Sequence, residues 1–246
     1  AQLMSSQFID ISSRSYKKVV ATLKICHYIG IPVNDLINAY SGQAFDESKL
    51  GKFTVYSDLL KKRQVSTEFT AYAQKRLGTE DLVSYRDSRN ALQYAIGLLL
   101  GWIVEDAFVQ WCLINGIDAR LDGKDSEREL QPDGNSIDSN SDIYLKDSKR
   151  RLEIVQDHTG FWMRQGIGHL RNEKLDKLLE QQSILIGISD ECVYYFDLGD
   201  YLTRSEIMRT RAFIQKHKNF GNKPAWQIPF KHPKSMDELR SLLAVL

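Results

Sequence analysis

Cysteine is scarce in this 246-residue chain: Cys26, Cys112 and Cys192 stand far apart and are odd in number. No C-x-x-C or comparable spacing occurs, so neither a structural zinc site nor a disulfide framework organises the fold. A reduced, cytoplasmic setting is the expectation. Long apolar runs are also missing. A membrane-spanning helix needs about 18 apolar residues, and the best stretch, "ALQYAIGLLLGWIV", runs into Glu105 and Asp106. The N-terminus lacks a basic segment followed by an apolar one, so no secretory signal is expected. Neither sign of charge is in excess. The net charge of +1 rules out a general polycation but leaves room for a local basic face. The glycine patterns G-x-G-x-x-G and G-x-x-x-x-G-K-[ST] are absent, which removes the usual nucleotide-phosphate cradles. No G-x-S-x-G elbow is present. The five histidines, His27, His158, His169, His217 and His232, form no pair at helical ligand spacing.

What is present is enough apolar sequence, 42%, for one large core or a core with an appendage. Residues 1–90 read as a helical region serving dimerisation or DNA clamping. "SYKKVVATLKICHYIG" has helical apolar spacing and stops at Gly30. "IPVNDLINAYSG" follows as a short second helix, so the two form a helical hairpin or, less often, a DNA-reading helix-turn-helix. Residues 91–200 read as the main core. Its opening helix, capped by Asp87 or Ser88, is apolar nearly all round and ends at Asn115-Gly116. The period then changes. "IDARL", "DIYL" and "RLEIVQD" read as strands, the last two joined as a hairpin by "KDSKR". The polar stretch from Asp122 to Ser141 reads as a long loop. A helix is expected from Ile167 to Gln182, then strands "SILIGIS" and "CVYYFDL". Residues 201–246 read as a basic helix over Ser205 to His217, a proline-interrupted tail and a final helix capped by Ser235. The fold class expected is α/β, a central mixed sheet flanked by helices.

The chemistry lies in the acids. Alternation along "RLEIVQD" puts Arg151, Glu153, Val155 and Asp157 on one face, with Leu152, Ile154 and Gln156 on the other. Asp142 opens the preceding strand, ten residues separate it from Glu153, and Glu105 sits on the long helix. Half-buried carboxylates repel unless something neutralises them, and a hard cation such as Mg2+ does so through oxygen ligands. Taken singly, each acid has a plainer reading. Glu153 could pair with Arg150 or Arg151, Glu105 could be a helix-end surface acid, and Asp142 could be a turn residue.

A Glu on a leading helix, an Asp opening one strand and a Glu within the next resembles the PD-(D/E)XK nuclease superfamily. The pattern here is Glu105, then Ser141-Asp142, then Glu153-Ile154-Val155, within about Gly97 to Phe196. The resemblance implies a restriction-endonuclease-like core and magnesium-dependent cleavage of double-stranded DNA by a homodimer, as in type II restriction enzymes. It implies metal ligation by Asp142, Glu153 and Glu105. Two positions depart from it. Ser141 stands where the family has Pro, and Val155 stands where it has the catalytic Lys. Gln156 through a bulge, Arg151 on the Glu153 face, or Arg171 or Lys174 on the following helix could supply the missing group, Lys174 being preferred.

A local basic balance marks the DNA side. Arg204, Arg209, Arg211, Lys216, Lys218 and Lys223 lie in one segment, "RTRAFIQKHKNFGNKPAWQ" and its approach, and are the candidate phosphate- and base-contacting residues. An ordinary solvated face is the competing reading of that segment. Alternatives to a restriction enzyme are a repair or junction-resolving nuclease, or a non-catalytic DNA-binding protein using the N-terminal helix pair.

Overall fold

In a computed structural model of the chain, residues 13–31, 91–122, 141–209, 213–218, 222–229 and 234–246 are described. The expected second N-terminal helix, the Asp87 or Ser88 cap and the loop over 123–140 lie outside them.

Among the described residues two helices lead, α1 (Ser13–Ile29) and α2 (Ala91–Ile114). Both stop in the same way. Gly30 and Gly116 take φ of 86° and 75°, a left-handed conformation that costs glycine little. Ile31 N then donates to Cys26 O at 3.1 Å and Ile117 N to Cys112 O at 2.9 Å, so each helix end is closed by a buried isoleucine just past its glycine. α1 packs on α2 through Ile25, Cys26 and Ile29, and α2 buries Val104, Ala107, Phe108 and Cys112 completely. Burial pushes the Cys26 and Cys112 thiols up to about 12, so both stay protonated and chemically quiet.

A five-stranded mixed sheet follows, in the order β1-β2-β3-β5-β6. Its strands are β1 (Ala119–Leu121), β2 (Ile143–Leu145), β3 (Arg151–Gln156), β5 (Ile184–Ile188) and β6 (Val193–Asp197). β3 and β5 are parallel; the other pairs are antiparallel. One face, carrying Ile143, Leu145, Leu152, Ile154, Ile184, Ile186 and Ile188, packs with α1, α2 and the C-terminal helix α6 (Met236–Ala244). The other face presents Leu185 and Val155 to α4 (Asn172–Glu180) and α5 (Tyr201–Arg209). β5 is buried along its whole length, which is why "ILIGI" carries no alternation. The expected mixed sheet flanked by helices is therefore present. Ser235 caps α6 as expected, its Oγ accepting from Glu238 N at 3.1 Å.

A second, three-stranded sheet was not expected. It runs β4 (Ile167–Arg171), β8 (Lys223–Pro229), β7 (Phe213–His217) in that order. The expected single helix from Ile167 to Gln182 is thus a strand followed by α4. The expected basic helix from Ser205 to His217 is α5 followed by β7. The expected proline-interrupted tail contains β8, a central strand despite two prolines. Pro224 falls opposite the irregularity between Ile214 and His217, and Pro229 ends the strand, so neither removes a needed ladder bond. A short helix, α3 (Phe161–Gln165), precedes β4. Among the described residues no helix is long and apolar enough to cross a membrane.

α4 is held by Leu175 and Leu178, both buried in the second cluster with Leu170, Leu185 and Ile228. Leu178→Ala should remove about 2–5 kcal/mol of stability, measured as the shift in urea midpoint at constant slope.

Candidate active site

The β2–β3 hairpin closes at Leu145 N, which donates to Arg150 O at 2.8 Å. Ile143 is then opposite Leu152, and the next rung outward brings Asp142 opposite Glu153. Asp142 Oδ2 accepts a hydrogen bond from Ile154 N at 2.9 Å, so the carboxylate lies against the β3 backbone beside Glu153. Ser141 replaces a ring by a hydrogen-bonding anchor. It is fully buried, its Oγ lies 2.7 Å from Ser183 Oγ, and it donates to Gln181 Oε1 at 3.1 Å. Those bonds tie the start of β2 to the C-terminal end of α4.

Glu153 is only 7% exposed. A carboxylate so placed requires a partner, because burial penalises a lone charge by far more than a surface pair gains. Lys174 is one such partner, its Nζ lying 2.9 Å from Glu153 Oε1. Lys174 sits in the first turn of α4 and is one turn from buried Leu178, so the packing that docks α4 also aims the ammonium at β3. The two neighbouring arginines do not serve Glu153. Arg150 is engaged by the Asp197 carboxylate and by Gln182 O at 2.8 Å, and Arg151 pairs with Asp122.

The remaining candidates are spread more widely. Gln156 points to the opposite sheet face, where Nε2 donates to Leu100 O of α2 at 2.9 Å. Val155 packs against the second cluster. Glu105 is half-buried on α2, which packs on the face away from Glu153. Among the described residues no group of three or more His, Cys, Asp or Glu side chains is gathered closely enough to hold a metal ion, so Glu105 does not complete a three-acid set with Asp142 and Glu153. The basic candidates are spread over three elements and their flanks. Arg204 and Arg209 are on α5, Lys216 and Lys223 are exposed on β7 and β8, Lys218 is exposed just after β7, and Arg211 lies outside the described residues. The second sheet also brings His169 and His217 together, with ring centroids 4.7 Å apart, a pairing that no sequence spacing announced.

Beyond β3, Asp157 is buried and accepts from Trp162 N at 3.3 Å and Met163 N at 3.0 Å, so it holds α3 rather than the acid pair. His158 is enclosed, and its Nε2 has no hydrogen-bond partner among the described residues. Burial, with a smaller contribution from the Lys18 charge, pushes its pKa down to about 4. The unfolded chain therefore binds the proton first as pH falls, and stability is lost from about pH 6.5 down to about 4. Between pH 7 and pH 5 the wild type should lose about 2 kcal/mol more than His158→Gln, read by urea unfolding at both values. Parallel pH profiles for the two proteins would refute it.

Sequence reasoning missed Arg120, Tyr144 and Asp122 on the acid-bearing face. Arg120 stacks over the Tyr144 ring at 4.9 Å, Arg151 approaches the same ring at 5.6 Å, and Asp122 holds Arg151. The alternation in "ARLD" puts Arg120 and Asp122 on one face and could have found them.

No family model matches the chain, and no curated protein matches it. Among solved structures, the chain is similar to D212, a nuclease from a fusselovirus, at 17% identity and a TM-score of 0.33, over 60% of this chain and 88% of that one. A TM-score this low establishes no relationship by itself.

Proposed function

We propose that the chain is a magnesium-dependent endonuclease of the restriction-endonuclease-like type, hydrolysing phosphodiester bonds in double-stranded DNA as a homodimer. A type II restriction activity is the specific reading, with a repair or junction-resolving nuclease as the runner-up. The observation that carries it is the Lys174–Glu153 contact of 2.9 Å beside Asp142. A lysine paired with one strand-borne carboxylate, with a second carboxylate on the neighbouring strand, is the trio that Val155 had put in doubt, the ammonium being delivered from a helix instead of the strand.

The donor set suits a hard divalent cation, since Asp142 and Glu153 offer oxygen ligands from adjacent strands. Bound there, magnesium would supply Lewis-acid stabilisation of the phosphoryl oxygens and a more acidic water. The protein's own groups do the rest. Asp142 and Glu153 would hold the ion. Lys174, held against Glu153, would place its positive charge beside the metal-bound water and the phosphate oxygens. Arg151 is near enough in the strand to contact a flanking phosphate once released from Asp122. Gln156 takes no part, being committed to the Leu100 carbonyl.

The test is incubation with mixed-sequence duplex DNA, with magnesium and then with EDTA, resolved on a gel. Discrete magnesium-dependent bands are expected. A smear or cutting only of branched substrates would favour the runner-up. Binding without any cutting would overturn the catalytic reading.

A further inference from the structure

Register places Arg120, Tyr144 and Arg151 in one row across β1, β2 and β3. One pleat further, about 7 Å along the strands, Asp122, Asp142 and Glu153 form the next row on the same face. A cationic, aromatic row thus borders the acid pair directly. Its outermost member differs from its neighbours. Arg151 is held by Asp122, and Lys174 is paired with Glu153. Arg120 is exposed on the edge strand and, among the described residues, touches no acid. Its guanidinium lies over Tyr144, which orders the planar fork and leaves its N–H edge available.

We propose that this row docks the phosphate backbone of the nucleic-acid strand beside the scissile bond, with Arg120 as a phosphate-binding residue and Tyr144 as its platform. The inference rests on the nuclease reading above and adds a substrate-binding residue to it. Charge complementarity favours a phosphodiester strand: a guanidinium with no acid in contact, aromatic-stacked, one pleat from the carboxylates where the bond would be cut. Phosphate and guanidinium match in a two-point, charge-assisted geometry that a lysine does not reproduce. An edge stack that only stabilises β1 would need the ring contact but not the outward N–H groups.

The test is fluorescence anisotropy of labelled duplex DNA in EDTA across a salt series, on wild type, Arg120→Ala, Arg120→Lys and Tyr144→Leu, with melting temperatures alongside. Arg120→Ala should weaken binding about tenfold and reduce the slope of log K against log salt by about one. Arg120→Lys should keep the slope but recover only part of the affinity, and Tyr144→Leu should fall between. In cleavage assays Arg120→Ala should raise KM by more than it lowers kcat. If wild type binds and cuts but Arg120→Ala binds equally well with an unchanged slope, the proposal fails and the nuclease reading stands. If wild type neither binds nor cuts, both fall. Should Arg120→Ala melt early, Arg120→Lys decides: an affinity equal to wild type overturns the planar phosphate contact.

Discussion

Lys174→Met is expected to slow DNA cleavage about 10²–10³-fold, the loss typical of removing one preorganised donor from a developing negative charge. The reasoning begins with Val155. On the strand, a residue two past Glu153 shares its face, and here that side chain is apolar and packed in the second cluster. With Arg151 paired to Asp122 and Gln156 turned to the other face, β3 places no amine two residues past Glu153. Lys174 takes that place from α4, with Nζ 2.9 Å from Glu153 Oε1. Methionine keeps the length and apolar stem of lysine, so α4 stays docked while the charge is gone. The same change leaves Glu153 buried with less compensation, at a cost of about 3 kcal/mol. The double variant Glu153→Gln/Lys174→Met separates the two effects. It should regain stability in a melt yet remain inactive. DNA binding in EDTA should persist in both. Wild-type cleavage by Lys174→Met would sink the assignment. A further outcome is informative: Val155→Lys in the Lys174→Met background should recover part of the rate, since it returns an amine to the Glu153 face from the strand.

Much of this arrangement could be read from the chain, and the limits are physical. Period-two patterns placed β2 and β3, because Leu152 and Ile154 face one core and Glu153 and Val155 the other. Glycines at 30 and 116 announced the helix ends because a left-handed residue is what those ends need. The second sheet was hidden for a different reason. β4 offers only Gly168 and Leu170 as buried residues in five, too short a pattern to separate from the start of α4. β8 contains prolines whose tolerance depends on a bulge in a strand elsewhere in the chain. Lys174 could be slightly preferred among several candidates, but not fixed. Its choice depends on how α4 crosses β3, a tertiary fact without a local pattern. Gln156 illustrates the reverse: it had suitable chemistry three residues past Glu153, and alternation alone already put it on the wrong face.

Asp142→Asn should reduce cleavage by about a thousandfold, because metal-linked charge stabilisation contributes several kcal/mol and each tenfold in rate corresponds to about 1.4 kcal/mol. Asparagine is the informative replacement. Its carbonyl can still accept from Ile154 N, the bond that now spans 2.9 Å, so the β2–β3 geometry is kept while the negative charge is removed. Stability should therefore change by less than about 1 kcal/mol, whereas Asp142→Ala, which abandons that N–H, should cost about 1–3 kcal/mol as well as activity. A structural role and a catalytic one are separated by the comparison. If Asp142 serves only to hold β3, the asparagine variant will cut DNA at the wild-type rate and the alanine variant will fail through instability. If it serves as half of an acid pair, both will be inactive whatever their stability. Combining Asp142→Asn with Glu153→Gln then extends the test. Groups that act as one unit are strongly non-additive, so the double variant should be scarcely slower than either single one. Independent losses that multiply would mean that the two carboxylates, though opposite each other in register, do not share a task. Magnesium titrations of binding to uncut DNA offer a readout apart from turnover: the midpoint seen with wild type should shift to higher magnesium in each single variant.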